Sequence, residues 1–287
     1  MKNSRKSIIY LHIAVMLFGL SGVVAQFVQV SSVMVAMGRV VSSSILLLCI
    51  ILFQKGSLKL REKKDYILIM ATGVVLAVHW TTFFQSIQVS SVAIGTITFS
   101  TFPLFLTFFE PLVFHEKLQK QGLICAILLL VGVFITIPEF SLENQMTVGI
   151  LWGMACSVTY AVLTLANRYF SGRYDGKLVC FYEQGTAAVV LLPTLLFVEA
   201  EWRVQDIVGV GFVGIVCTAF AYTLYVSAQK KVRAQTAGLI SGMETVYGIV
   251  YALIFLGEVP TAREIIGGIV ILGVAIFSSV SKVETGQ

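Results

Sequence analysis

The chain has 287 residues, of which 57% are hydrophobic and only 12% charged, with a formal net charge of +5. Soluble domains carry about 25% charged residues, so this chain lacks the polar side chains needed to cover a water-exposed surface, and it is far too apolar to be intrinsically disordered. The composition predicts an integral membrane protein. Because the positive charge lies in short loops on one side, it does not indicate a nucleic-acid-binding surface.

Ten apolar runs, each long enough to cross a bilayer as a helix, follow one another along the chain. We therefore predict an all-α membrane protein with ten transmembrane helices. The first run follows Lys2, Arg5 and Lys6, as a signal peptide would, but its length of about 20 residues favours a membrane span. The predicted spans are about 7–27, 33–53, 66–86, 92–114, 122–138, 147–167, 178–197, 207–227, 235–256 and 264–281.

The distribution of lysine and arginine predicts the orientation of these spans. Seventeen of the 20 lie in the tails and loops on the side of the N-terminus, whereas only Arg203 and Arg263 lie on the other side and Arg39 lies within a span. Cytoplasmic loops are the ones enriched in Lys and Arg. We therefore expect both termini to be cytoplasmic.

The two halves of the chain resemble each other. The segment from Pro103 to Glu116 has the same length as that from Thr245 to Glu258, and Ser86 matches Ser227. Each half holds five spans, an odd number, so the second half must be inserted upside down. We predict two inverted five-helix repeats, 7–138 and 147–281, with the substrate site near the membrane midplane between them, as in secondary transporters.

Charged residues inside predicted spans are few, and such residues tend to face cavities. Glu244 lies about nine residues into the ninth span, and we predict that it binds substrate or a coupling proton, with His79 as a second candidate for proton coupling. A structural pairing of Glu244 with Arg39 or His79 is the alternative. Arg39 is expected either in the substrate path or as a snorkelling or interhelical structural residue, and His79 as a hydrogen-bonded core residue if it is not functional. Glu110 and Glu183 lie near cytoplasmic boundaries and are interpreted as interfacial.

Aromatic residues are numerous in the spans, and most are expected to pack or to contact lipid. Trp80, Tyr160 and Tyr222 lie well inside spans beside polar or small residues, so we predict that they line the substrate path together with Arg39 and Glu244.

Several glycines are spaced for close contact between helices. Gly209 opens a G-x-G-x-x-G pattern, but it does so inside an apolar span rather than after a strand, which argues against nucleotide binding. We predict helix packing for Gly149, Gly153, Gly209, Gly238 and Gly242.

Motifs for catalysis or metal binding are weak. Gly19 to Gly22 resembles the Gly-x-Ser-Gly of intramembrane serine proteases, but no histidine in a second motif is placed to act as its base. The five cysteines are scattered through apolar runs without metal-ligand spacing. We expect no enzyme activity, no metal and no cofactor.

Short motifs then occur in a recognisable order: an aromatic-Gly step in the first span, an Arg followed by small residues in the second, segments ending in a glutamate in the fourth and ninth, and glycines in the last. In this chain they are Phe18-Gly19, Arg39 to Ser43, Pro103 to Glu116, Glu244 to Glu258, Gly267-Gly268 and Gly273. Together they resemble the EamA-type family of ten-helix carriers in the drug/metabolite transporter superfamily, over essentially the whole chain. Thr245 stands where a Pro is common in that family, and His115 replaces the Gly before Glu116.

The resemblance implies a secondary transporter that exports amino acids or related metabolites, driven by a proton or substrate gradient. The expected partners are a small-molecule substrate and the lipid bilayer, with a homodimer left open and nucleic acid excluded. A lipid-linked sugar flippase, a nucleotide-sugar-type exchanger and a non-transporting receptor or scaffold are the alternatives. Compact loops favour the inner membrane of a bacterium.

Overall fold

A computed structural model describes residues 2–114, 120–139, 141–229 and 234–284, and every regular element in those ranges is helical. A 3-10 helix (Leu192–Leu196) follows α8, and a π-helical segment (Ile215–Phe220) joins α9 to α10. The α-helices are α1 (Lys2–Phe27), α2 (Ser32–Phe53), α3 (Lys63–Val89), α4 (Val92–Phe99), α5 (Phe102–Phe114), α6 (Lys120–Thr136), α7 (Gln145–Ser171), α8 (Gly176–Leu191), α9 (Val204–Gly214), α10 (Ala221–Gln229), α11 (Ala234–Phe255) and α12 (Ala262–Glu284).

Seven stretches of the described chain are long and apolar enough to cross a membrane. The prediction of an all-helical, multi-pass membrane protein is confirmed, whereas the count of ten spans stays a prediction. Lys120–Thr136 and Ile240–Phe255 are shorter apolar helices. The seven stretches are Lys6–Phe27, Ser32–Phe53, Lys63–Val89, Val92–Val113, Gln145–Phe170, Gly176–Leu196 and Val204–Tyr225.

The outer surface of the helical assembly is apolar. Phe53 is 90% exposed, Ile67 75% and Leu112 72%, and many other large aliphatic and aromatic side chains also point outward. A soluble monomer rarely exposes apolar patches of this extent, whereas a bilayer accepts them.

Three of the predicted spans are not continuous α-helices, which corrects the expectation for 92–114, 207–227 and 178–197, the last of which ends in the 3-10 helix Leu192–Leu196. The first is interrupted at Ser100 and Thr101 between α4 and α5, and the second contains the π-helical segment. Interrupted helices leave backbone groups without their usual partners, and inside a membrane other protein groups must satisfy them.

Side chains from neighbouring helices meet this requirement at the α4–α5 break. Ser157 Oγ of α7 donates to the carbonyls of Thr98 and Phe99, each at 2.8 Å. Ser100 Oγ lies 2.6 Å from Thr245 Oγ1 of α11. The break is therefore held between α7 and α11, at the place where these helices approach the interior.

Helix packing joins the first half of the chain to the second. α1 packs against α10 and α11, α7 packs against α3, α4 and α5, and the pairs α2–α8 and α6–α12 are extensive. Exchanging the halves maps α1 onto α7, α4–α5 onto α11, and α3 onto α9–α10. The same set of contacts is then recovered, so the packing pattern is symmetric under exchange of the halves.

Two of the glycines selected from the sequence lie at close helix contacts. A Cβ on Gly153 would clash with Thr98 Oγ1, and one on Gly149 would clash with Ser90 Oγ, so α7 lies directly against α3 and α4. Gly209 also lies close to a neighbour, since its Cβ would stand 2.9 Å from a methyl of Val28. For Gly242 the packing prediction is wrong, because its Cβ would meet nothing within 4 Å. Gly238 lies in α11, in a stretch whose surroundings are outside the described residues.

The Gly-Glu motif after α11 has a local structural reason. Gly257 has φ +69°, a left-handed conformation that glycine adopts without steric cost. The turn directs the Glu258 carboxylate to Val92 N–H, 3.1 Å away, where it caps the N-terminus of α4. Partial burial raises the pKa of Glu258, and the Val92 N–H opposes that rise. The matching His115 and Glu116 of the first half lie outside the described residues.

Candidate functional site

Arg39 lies in the interior, on α2, and is 0% exposed. Its Nε donates to Thr218 Oγ1 at 2.9 Å, and its Cζ lies 3.5 Å from the centroid of the Trp80 ring. A guanidinium stacked on an indole is stabilised by cation–π attraction, of about 2 kcal/mol where water is excluded. The snorkelling interpretation of Arg39 is therefore wrong, because the side chain runs inward.

The π-helical segment explains how Thr218 reaches Arg39. Thr218 Oγ1 donates to the Val213 carbonyl five residues earlier, at 2.7 Å, and accepts from Arg39 Nε. π-Helical turns often occur at functional sites, where they redirect a side chain. Nothing in the sequence Ile-Val-Cys-Thr-Ala-Phe distinguishes this segment from an α-helix, so the sequence did not reveal it.

Two donors at this place are buried without a hydrogen-bond partner among the described residues, namely Arg39 Nη1 and Trp80 Nε1. Buried polar groups in proteins are nearly always paired, so two neighbouring orphan donors indicate a place where another acceptor binds.

Glu244 faces the same interior from α11. It is partly accessible, has no hydrogen bond or ion pair within the described part of the chain, and attracts Arg39 electrostatically. The charge of Glu244 also acts on Tyr160 and Cys156 of α7. The structural alternative required Glu244 to be tied to Arg39 or His79, and the structure shows neither contact within 4 Å.

Tyr160 lies between the α4–α5 break and this interior. Its ring lies 4.8 Å from both Phe99 and Phe102, measured between centroids. Tyr222 lies on α10, where its hydroxyl accepts a hydrogen bond from Asn167 Nδ2 of α7 at 2.9 Å. The structure thus brings together four of the residues selected from the sequence, which we call the central site: Arg39, Trp80, Tyr160 and Glu244.

His79 lies behind the central site rather than in it. It is 2% exposed, and its Nδ1 lies 3.2 Å from the Cys156 carbonyl and 3.3 Å from Thr159 Oγ1. Its ring packs 4.6 Å from that of Trp80, between centroids. This is the arrangement of a hydrogen-bonded core histidine that supports a neighbouring aromatic residue.

The two glutamates interpreted as interfacial differ. Glu110 accepts a hydrogen bond from Arg168 Nη1 at 2.8 Å, as an interfacial residue would. Glu183 is 0% exposed inside α8, so the interfacial interpretation is wrong for it. Its position, seven residues after the start of α8, gave no signal in the sequence, because the face that it presents depends on the packing of α8.

No group of three or more His, Cys, Asp or Glu residues that could hold a metal ion occurs in the part of the chain that the structure describes. The central site offers one cation, one carboxylate, two buried N–H donors without a described partner, and aromatic faces.

Comparison with known proteins agrees with this architecture. The model of the EamA-like transporter family matches residues 5–137 and again residues 147–280. The uncharacterized transporter YxxF of Bacillus subtilis is 21% identical over 275 residues, covering 94% of this chain and 88% of its own. The uncharacterized inner membrane transporter YicL of Salmonella typhimurium is 21% identical over 293 residues, covering 98% of each chain.

An uncharacterized transporter of Helicobacter pylori is 28% identical over 239 residues, covering 77% of this chain and 75% of its own. One crystal structure superimposes over 99% of both chains with a TM-score of 0.68 and 18% identity, a likeness of fold alone.

Proposed function

The chain belongs to the EamA-like transporter family, and from this membership we propose that it is a secondary transporter that exports an amino acid or a related small metabolite across the plasma membrane of a bacterium. Its curated relatives are transporters, and one is an inner membrane transporter, which supports the proposed location.

The observation that carries the proposed substrate class is the pairing of opposite charges at the central site. Arg39 offers a buried guanidinium with a free Nη1, beside the free N–H of Trp80, while Glu244 offers an unbonded carboxylate from the facing helix. Guanidinium groups bind carboxylates in charge-assisted hydrogen bonds. An amino acid would therefore place its carboxylate at Arg39, its ammonium at Glu244 and its side chain among the aromatic rings.

For the architecture we propose ten spans in two inverted repeats, 7–138 and 147–281, with both termini in the cytoplasm. The family model matches the chain twice, and the helix contacts are symmetric under exchange of the halves; both observations support this arrangement. The break between α4 and α5 and the π-helical segment flank the central site, as interrupted helices do around the substrate in other inverted-repeat carriers.

The test is uptake of labelled amino acids by proteoliposomes that contain the purified protein, with Glu244→Gln compared with Glu110→Gln. Both variants exchange a carboxylate for an amide, but Glu110 is bonded to Arg168 away from the central site. A lost charged hydrogen bond of about 1.5–3 kcal/mol corresponds to at least about a tenfold loss of flux or affinity. We expect that loss in Glu244→Gln and wild-type flux in Glu110→Gln.

Substrate analogues separate the proposed class from its rivals. A substrate that lacks its amino group should bind wild type and Glu244→Gln equally well, because the Glu244 contact is then absent in both. Movement of a labelled lipid without any amino-acid flux would instead identify a flippase. Equal amino-acid flux in Glu244→Gln and wild type between about pH 5.5 and 8 would contradict the proposed role of Glu244.

A further inference from the structure

Glu183 of α8 is sealed inside the helical assembly without a partner. Its side chain is 0% exposed, and neither carboxylate oxygen has a hydrogen-bond partner among the described residues. The ion pairs found in that part of the chain involve Glu62, Asp65 and Glu110, so no described cation lies within 4 Å of Glu183.

The helices that surround Glu183 pack closely. α8 packs closely on α3, since a Cβ on Gly73 would stand 2.8 Å from the Glu183 carbonyl oxygen. On the side of α2, Leu47 packs with Cys180, one turn from Glu183 along α8. Ser43 Oγ of α2 and Gln184 Oε1 of α8 are also buried without partners.

The titratable groups that interact with Glu183 are Cys180 of its own helix and Tyr222 of α10. Arg39, on α2, and His79, on α3, carry no interaction with it. Neither Cys180 nor Tyr222 is a cation. An ionised carboxylate without water, a cation or hydrogen bonds is strongly destabilised, so the packing seen here accommodates the neutral, protonated acid.

The position of Glu183 in the fold gives this protonation a mechanical consequence. α8 belongs to the second matched segment of the chain, whereas α2 and α3 belong to the first, so Glu183 lies at the contact between the two. Alternating access in inverted-repeat carriers moves one repeat against the other. Ionisation of Glu183 would therefore favour a state in which α8 separates from α2 and α3.

We propose that Glu183 is a proton-binding gate, distinct from the central site: it holds a proton while α2, α3 and α8 are packed together, and it releases that proton to water when these helices separate. Opening of this interface and loss of the proton are then one step. This proposal requires that the chain is a transporter, but it does not depend on which solute the chain carries.

Cys180 provides a native reporter, since it is 0% exposed at the same interface. Purified protein in lipid nanodiscs is treated with N-ethylmaleimide between about pH 5 and 9, without substrate, and labelling of Cys180 is followed by peptide mass spectrometry. The variants are Glu183→Gln, which cannot ionise, and Glu110→Gln as the matched control. Comparing chains at the same pH removes the intrinsic pH dependence of the reagent.

We expect the ratio of Cys180 labelling in wild type to that in Glu183→Gln to be near one at low pH and to rise with pH, by up to about tenfold per pH unit over the titration. The negative charge of Glu183 by itself would disfavour the Cys180 thiolate, so an increase reports separation of the helices. Glu110→Gln should behave as wild type.

A ratio that stays near one over the whole range overturns the gate, because Glu183 then has no pH-dependent effect on this interface. The same holds if Glu183→Gln shows the wild-type rise. Glu183→Leu fills the apolar surroundings and serves the same comparison if Glu183→Gln does not accumulate. Because no substrate is present, failure here leaves the amino-acid proposal standing, and the reverse is equally true.

Discussion

Asp65 and Glu183 are both completely buried carboxylates, on helices that pack against each other, yet their surroundings are opposite. Asp65 accepts hydrogen bonds from the hydroxyls of Tyr169, at 2.9 Å, and Tyr174, and lies 3.9 Å from Arg173 Nη1. Glu183 has none of these contacts.

Asp65 has hydrogen-bond partners that stabilise the fold. Glu183 has none in the described part of the chain, as expected of a group that acts in a conformational change. The Asp65 cluster fastens the connection between α7 and α8 onto the start of α3, and each of its hydrogen bonds is charge-assisted. Burial also raises the pKa of the Tyr174 hydroxyl, as does its bond to Asp65, so it stays protonated and donates. A stable interior requires buried polar groups to have hydrogen-bond partners, as Asp65 has. Glu183, Arg39 and Trp80 instead have buried polar atoms without a partner among the described residues.

The largest effect is expected on stability, from exchanging each of the two carboxylates for its amide. Asp65→Asn should lower the midpoint of thermal unfolding in detergent by about 5 °C or more, because the amide replaces one of the two accepting oxygens by an N–H donor that faces a donating tyrosine hydroxyl, and the negative charge is lost. Glu183→Gln should leave the midpoint unchanged or higher, since no partner is lost. If Glu183→Gln unfolds at a lower temperature than Asp65→Asn, the proposed distinction between the two carboxylates is wrong.

Arg39→Met should affect transport rather than stability. Removing one partner of a desolvated charged contact costs at least about 2 kcal/mol of binding, or about thirtyfold in affinity. Methionine keeps an apolar side chain of similar length against Trp80, so the thermal midpoint should stay near that of wild type. Transport flux and the thermal midpoint, measured on the same preparation, distinguish an effect on transport from an effect on stability. A stable Arg39→Met variant with wild-type flux would show that Arg39 serves packing only.

Tyr222→Phe should have the smallest effect. It removes the hydroxyl that accepts from Asn167 and leaves the ring in place, so about 0.5–1.5 kcal/mol, or a two- to tenfold loss of flux, is expected. Asn167→Leu should reproduce the change, since it removes the donor of the same bond. A loss in only one of the two variants would indicate that the Tyr222 hydroxyl acts on substrate directly.

The membrane class and much of the central site could be predicted because they depend on local sequence. Long apolar runs predict membrane helices without knowledge of the packing. A single charged residue in such a run, such as Glu244 or Arg39, is conspicuous because placing a charge inside a membrane costs free energy. Helix faces could not be predicted in this way. Glu183 looked interfacial because its distance from the end of the span was known but not the identity of its neighbours. Gly242 has the spacing of a packing glycine, yet a Cβ at this position would meet nothing within 4 Å.

The cap that Glu258 places on α4 has a consequence for how the protein is made. Val92 is synthesised 166 residues before Glu258, and α1 is made long before α11, on which it packs. Until then the first five helices lie in the bilayer with the first turn of α4 capped only by Ser91 Oγ at the Ile94 N–H, and with the inner faces of α1 and α2 uncovered. Assembly becomes complete only when the last loop emerges, so a truncation before Glu258 removes a contact on which the N-terminal half depends.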